Sequence, residues 1–443
     1  MKPILRFLVF LIALTVARTG LHAEDRALSL QDCLDLALKQ NPTVLKAQQE
    51  LRRSHGVVVE ARAAAIPSVK LSGQYERIDN NFIDQFPGGG TIFKNQEQPW
   101  GAQVEVSQNL YAGGRILASI RASKYSDQIA VLGFDRAVAD VVLNVRRTFY
   151  QILLAQAQVA VREQSVHLLQ QQLEDTQHRF DVGAVPRFNV LRAEVELANA
   201  KPPLIRAQND LRLSREALVN LLAIDAPRAA DFTPITLTGQ LRYEPRDFTL
   251  SNALDQALLH RPELGQAEKQ VVVAKQNVKG AQAGYKPEIQ IFGQYGVRNS
   301  VFSDQLDDTL DGWTLGARAE WALFDGMLTH GKVTQARALY RQAELDADDT
   351  RRRVELEVRQ AYSDYKQALE LIEAQKKTVE SAEESLRLAE ARFRAGTGTQ
   401  LDVLSAQTAL TDARSNEAQS LFDYNVAVAT LERVTGTTIK YVD

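Results

Sequence analysis

Six histidines (His22, His55, His167, His178, His260 and His330) are the side chains that could hold a metal or move protons near neutral pH. None falls in an HExxH run or any paired-ligand spacing, and His167 and His178, 11 apart on one helical stretch, read as solvated. The single cysteine, Cys33, excludes an intramolecular disulfide framework and a multi-cysteine metal site. Its neighbours Leu30, Gln31 and Asp32 lack the small residues that precede a lipidated cysteine, so Cys33 reads as a small apolar residue on a short helix. No GxSxG occurs, and Asp348-Asp349 beside Arg351-Arg352-Arg353 reads as a solvated helix face. Gly88-Gly89-Gly90 lies in a long exposed loop, Ile78 to Pro99, with no Lys-Ser/Thr to complete a phosphate cradle. The expectation is a protein that is not an enzyme and needs no cofactor or metal. With 52 basic and 55 acidic residues there is no bulk charge to attract nucleic acid.

What remains is interfacial chemistry. The three tryptophans, Trp100, Trp313 and Trp321, all occupy the apolar positions of alternating stretches. Val69, Leu71, Gly73 and Tyr75 alternate with polar residues over about 68–77, and Trp100, Ala102, Val104 and Val106 do so over about 100–110. Ile289, Ile291, Gly293, Tyr295 and Val297 mark a third stretch, about 288–298; Trp313, Leu315, Ala317, Ala319, Trp321 and Leu323 mark a fourth, about 313–324. Period-two alternation over such lengths predicts four strands. Trp313 and Trp321 are eight residues apart, roughly 26 Å at about 3.3 Å per residue. That span matches the apolar band, about 25 Å tall, between the aromatic girdles of an outer-membrane barrel. Trp100, Trp313 and Trp321 are therefore the expected girdle, in contact with outer-membrane lipid.

Four strands cannot close alone in hydrocarbon, where an open edge leaves main-chain groups without partners. Closed barrels start at eight strands, so several chains must share one barrel; these arguments do not choose between two and three copies. A four-stranded sheet covered by helices is the soluble alternative, and a periplasmic coiled-coil adaptor or scaffold that never enters a membrane is the other functional class. The girdled strands weigh against both.

The elements that position these strands come in two copies. A seven-residue apolar beat runs through Val145, Ile152, Val159, Val166, Leu173 and Phe180, passes the turn Val182-Gly183-Ala184-Val185-Pro186, and returns through Val190, Leu197, Leu204, Leu211 and Leu218. Adding 213 gives Val358, Tyr365, Ile372, Val379, Leu386 and Phe393, the turn Ala395-Gly396-Thr397-Gly398-Thr399, and Val403, Leu410, Glu417, Tyr424 and Leu431. Two long helical hairpins on one plan are an internal repeat. The 67 residues from Arg115 to Asp181 would reach about 100 Å at 1.5 Å per residue. An unbroken seven-residue repeat demands side-by-side packing with supercoiling. The line seven apart from Phe149 turns polar at Gln156, Glu163, Gln170 and Gln177, which suits a solid coiled coil or a ring of helices around water equally well. Pro202-Pro203 falls inside the first return helix, and a kink or break is expected there, in the first repeat only.

The expected organisation is a signal peptide over 1–23, from Lys2 and Arg6, the apolar run Ile4 to Val16 and the cleavage site Leu21-His22-Ala23. Repeat one covers 24–223 with its hairpin over 115–222, a linker covers 224–249, repeat two covers 250–436 with its hairpin over 327–435, and a tail covers 437–443. In each repeat two short helices precede a proline, Pro67 or Pro287, where extended chain must begin.

The ordered set of an export signal, a duplicated helix-strand-strand-helix-helix plan and two glycine tips resembles the TolC-type outer-membrane efflux family. The likeness is closest at Arg179-Phe180-Asp181-Val182-Gly183-Ala184-Val185 with Asn189-Val190, and at Arg392-Phe393-Arg394-Ala395-Gly396-Thr397 with Leu401-Asp402-Val403-Leu404. The resemblance implies an α+β membrane protein: a homotrimer forming a 12-stranded β-barrel, continued by a long α-helical barrel across the periplasm. It implies a passive exit duct of a tripartite efflux pump or type I secretion system, working with a periplasmic adaptor and an inner-membrane pump. The adaptor would dock on Val182, Gly183, Ala184, Val185, Ala395, Gly396 and Thr397. Gate positions of the family fall on Asn189, Phe393, Asp402 and Ser405; here Phe393 stands where members carry tyrosine, Ser405 where an acid is found, and Gly398 where some carry a basic residue. The absent lipid box places the chain with the non-lipidated members.

Overall fold

The computed structural model describes residues 27–79, 98–225, 235–300 and 306–437. The expected signal peptide, most of the glycine-rich loop, part of the linker and nearly all of the tail lie outside these residues.

Chain order is α1 (Leu30–Gln40), α2 (Pro42–Ala63), β1 (Ser68–Tyr75), β2 (Trp100–Ala112), α3 (Arg115–Asp181) and α4 (Arg187–Leu221), then α5 (Leu250–His260), α6 (Pro262–Gln282), β3 (Glu288–Asn299), β4 (Thr309–Glu320), α7 (Leu328–Arg394) and α8 (Gln400–Val434). Local signals set the boundaries. Ser29 and Asp32 form a capping box at the start of α1, and Asn41 Oδ1 accepts from the Thr43 amide where Pro42 opens α2. No described helix is long and apolar enough to cross a membrane.

The helices form one layer. Near the tips its order is α4-α3-α8-α7; towards the sheet, α2 and α6 take the places of α4 and α8. Each short helix is joined end to end with a return helix of the hairpins. The apolar beat supplies the most deeply buried residues: Val145, Ile152 and Leu218 pack with Cys33, Phe149 and Leu222 in one core, and Val358, Tyr365 and Leu431 pack with Ala253, Ala257 and Tyr424 in its counterpart. Val145, Val358, Leu218 and Leu431 are pairwise equivalents by the 213-residue offset, and all four are fully buried. The linker belts this level. Ile235 and Leu237 enter the first core, Leu28 pairs with Leu237 in a parallel bridge, and the Tyr424 hydroxyl donates to Glu244 O at 2.6 Å.

The sheet is antiparallel in the order β1-β2-β3-β4, with β1 and β4 as its outer edges. Two sequence expectations need correction. The fourth strand begins at Thr309 and ends at Glu320, so Trp321 and Leu323 lie beyond it. Glu320 is the partner of Glu288, and Pro287 next to it has no N–H with which to carry the ladder on to Trp321. The helix α4 runs through Pro202 and Pro203 without a break, which removes one of the two outcomes expected there, a kink or a break, and it packs against α3.

Candidate functional site

The sheet register gives the two faces directly. Val69, Leu71, Gly73 and Tyr75 stand opposite Val106, Val104, Ala102 and Trp100. Val104 stands opposite Tyr295, and Tyr295 opposite Trp313; Gly293 faces Leu315, and Ile291 faces Ala317. One apolar face therefore runs across all four strands. It is uncovered: Leu71, Trp313 and Leu315 are each at least 74% exposed. The opposite face carries Ser68, Lys70, Ser72 and Gln74, then Gln103, Glu105 and Ser107, then Gln290 and Gln294, then Thr314 and Arg318. Phe292 is the aromatic exception there; it lies across Gly316 with the Arg318 guanidinium over its ring. An extra residue at Leu110 makes a bulge between Asn109 and Tyr111 at the helix-proximal end of β2.

Trp100 donates its indole N–H to Leu306 O at 3.1 Å, and Trp321, just past β4, donates to Tyr285 O at 3.1 Å. Trp100 thus lies at the loop end of the sheet and Trp321 at the helix end. Below Trp321, Leu323 and Phe324 are each 82% exposed.

The tips lie at the far end of the layer. In the first, Gly183 takes φ +74° and the Ala184 amide closes back on Arg179 O at 2.7 Å. In the second, Gly396 takes φ +74° and the Thr397 amide closes on Arg392 O at 2.9 Å. Both are glycine-terminated helix ends in which a left-handed residue lets the chain reverse. A Cβ at either glycine would meet open space. Val182, Ala184 and Thr397 are exposed, as is Ala395, whereas Val185 is half-buried.

The gate candidates do not form one cluster. Asp402 caps its own helix: the Thr399 amide and hydroxyl donate to its carboxylate at 2.9 and 2.8 Å. These bonds hold the Asp402 carboxyl below its ordinary range. The Ser405 hydroxyl donates to Asp402 O at 3.0 Å, and the Asn189 amide donates to Pro186 O. Phe393 does reach the other hairpin, since the Arg179 guanidinium sits 4.9 Å from its ring centroid. Beside this pair, Gln400 Nε2 donates to Thr176 Oγ1 at 3.3 Å. Sequence reading missed both cross-hairpin contacts, because nothing in either helix alone marks which faces meet.

It also missed an ion network at the level of the cores. Arg433 binds Asp140 at 2.6 Å and Glu263 at 3.1 Å; Arg261 binds Glu263 at 2.9 Å and Glu357 at 2.7 Å. These residues come from α3, α6, α7 and α8 and the turn before α6, so the network ties the two repeats together. Burial pushes the Glu263 carboxyl up, but the Arg261 bonds and the nearby Arg433 charge outweigh it and hold the carboxyl low. A Ser-His-Asp grouping occurs on α2 and α3, but Ser54 Oγ (2.7 Å) and His55 Nδ1 (2.9 Å) both bind the same Asp127 oxygen. A nucleophile needs the imidazole between hydroxyl and carboxylate, so this arrangement activates nothing. Cys33 lies within α1 in the first core, where burial, with Asp32 adding, pushes its thiol up to about 12.

Comparison with known proteins agrees with this geometry. The family model described as outer membrane efflux protein matches residues 33–223 and 253–437. The outer membrane protein TolC of Vibrio cholerae is 25% identical over 413 residues, covering 92% of this chain and 91% of the relative. The alkaline protease secretion protein AprF of Pseudomonas aeruginosa is 24% identical over 421 residues, covering 94% and 86%. Among solved structures, the outer membrane protein VceC of Vibrio cholerae superposes with a TM-score of 0.77 at 20% identity, covering 92% of this chain and 96% of that one. A coiled-coil adaptor that stays out of the membrane has no use for the uncovered apolar sheet face, and these relatives do not favour it. The chain belongs to the outer membrane efflux protein family, and it has the fold of that family's outer-membrane channels.

Proposed function

We propose that this protein is the exit duct of a tripartite efflux pump or type I secretion system, acting as a homotrimer. The observation that carries this reading is the apolar face shared by all four strands, open at β1 and β4 and continued by helices about 100 Å long. Three such sheets close a barrel in the outer membrane with its polar face inward, well above the minimum of about eight strands. The helical layers close in the same way into a tunnel across the periplasm.

The duct is passive. An inner-membrane pump supplies the energy, and a periplasmic adaptor docks on the tips around Gly183 and Gly396. The gate lies at the same end, where Arg179, Phe393 and Asp402 meet the adaptor's reach. Trp100 and Trp313, with Trp321 below, contact lipid. A polar lumen of Gln, Ser and Arg suits small molecules and polypeptides alike, and the likeness to a protease secretion protein makes a polypeptide the first cargo to assay.

The test is membrane fractionation followed by mass photometry in detergent. A trimer from the outer membrane supports the duct; a soluble monomer or dimer would return the sheet to an ordinary helix-covered one.

A further inference from the structure

We propose that the cleft between the start of α3 and the end of α6 binds the headgroup of an inner-leaflet phospholipid. This rests on the outer-membrane reading above. The cleft, about 440 Å³, lies where β2 passes into α3 and where α6 passes into β3. It is therefore directly beneath the central strand pair. Within the layer α2-α3-α6-α7 it sits between the two middle helices, away from the outer helices α2 and α7 that a neighbouring copy would meet.

Its lining is cationic. Arg121, Lys279 and Lys286 contribute three positive charges, and no carboxylate lines the cleft. Among the described residues none of the three makes an ion pair, whereas nearby Arg115 is bound to Glu288 at 2.7 Å. A guanidinium with two ammonium groups is a phosphate-binding set: the fork can hold two oxygens while the lysines supply charge. Basic pockets at the membrane surface take lipid headgroups for this reason.

A second observation is independent of charge. Gln276 lines the same cleft and is only 7% exposed, yet its Oε1 has no donor. Buried acceptors without a partner are rare in folded proteins. Oε1 is itself closed off from solvent, so the Gln276 side chain must turn towards the cleft before an ammonium or hydroxyl beyond the phosphodiester supplies the missing donor.

Position selects a lipid over a free anion. Tyr285 lines the cleft, and its carbonyl accepts from Trp321, which adjoins the exposed Leu323 and Phe324. Leu117, 61% exposed, forms the other apolar side. A headgroup in the cleft would thus have its acyl chains beside the exposed apolar residues that follow β4.

The experiment uses the full chain purified from outer membranes in mild detergent. Native mass spectrometry counts bound phospholipid for the wild type, for the triple variant Arg121→Gln/Lys279→Gln/Lys286→Gln, and for Gln276→Leu. Phosphatidylethanolamine, phosphatidic acid and inorganic phosphate are added separately as probes. The expected result is one retained phospholipid for each wild-type protomer, lost in the triple variant at unchanged oligomer mass. Gln276→Leu should erase the preference for phosphatidylethanolamine over phosphatidic acid. Equal lipid counts in wild type and triple variant would overturn the proposal, as would displacement of the lipid by inorganic phosphate. A particle missing from the outer membrane would instead refute the duct reading; a correctly located particle with unchanged lipid refutes only the cleft.

Discussion

The Asn41 side-chain amide donates to the main-chain carbonyl of Leu221 at 2.8 Å, and so pins the residue that caps α2 to the last residue of α4. At the equivalent place in the second repeat, the Arg261 guanidinium reaches Val434 O at 3.4 Å. Each joint turns two helices into one long column. Asn41→Leu removes the cap on Thr43 as well as the bond to Leu221. The expected cost is about 1–3 kcal/mol of stability, read as a lower urea midpoint. Asn41→Asp keeps the cap but cannot donate to Leu221 O, so it should cost less; equal losses in both would show that the cap contributes nothing.

The register makes neighbouring residues of β4 unequal. Leu315 lies on the apolar face and Thr314 on the polar one. Leu315→Arg should cost roughly 2–4 kcal/mol in the membrane and sharply lower assembled barrel, while Thr314→Arg should assemble normally. Heat-resistant oligomer on gels is the readout. Similar behaviour of the two variants would remove the lipid assignment of this face.

Arg179 and Phe393 join the two tips. A cation–π contact at an exposed site is worth about 0.5–1 kcal/mol, enough to bias a closed end without locking it. Phe393→Ala and Arg179→Ala should each raise single-channel conductance in planar bilayers. Unchanged conductance in both would take this pair out of the gate.

Gly183→Trp and Gly396→Trp place a bulky side chain in open space at the tips, at some strain because both glycines have positive φ. Trimers should persist and export should be lost. Gly→Asn at the same sites, better tolerated in the left-handed region, should retain more export. Full export by both tryptophan variants would contradict adaptor docking here.

Glu263 binds its proton less readily folded than unfolded, because Arg261 and Arg433 favour the carboxylate. Its contribution to stability is therefore complete above the ordinary glutamate pKa and is lost as pH falls from there through the lower folded value. Glu263→Gln should be destabilised at neutral pH and show a flatter loss of stability below the ordinary carboxylate range. An acid profile parallel to the wild type would show that Glu263 is not a source of that dependence.

The hairpins and the four strands were legible because each rests on a period within one segment. Val145 and Val358 announce a buried seam by spacing alone, and Leu71 and Trp313 a face by parity. Boundaries that depend on a partner were not legible. Trp321 continues the alternation of β4, but the strand stops where Pro287 of its neighbour cannot bond. Pro202 and Pro203 carry a local penalty, yet α4 stays one continuous helix packed on α3. The Arg433 network and the Arg179–Phe393 contact join positions more than 200 residues apart or on separate helices, and no local pattern encodes such meetings.

The open edges of β1 and β4 bear on how the molecule is made. Each hairpin pairs helices close in sequence and can form early in water, whereas in the proposed trimer the sheet gains its last hydrogen bonds only from other copies. A newly made chain therefore carries an adhesive rim and an oily flank until its siblings arrive. Its yield should depend steeply on the rate of synthesis, and escorts that cover strand edges during transit should matter more to it than to a barrel closed within one chain.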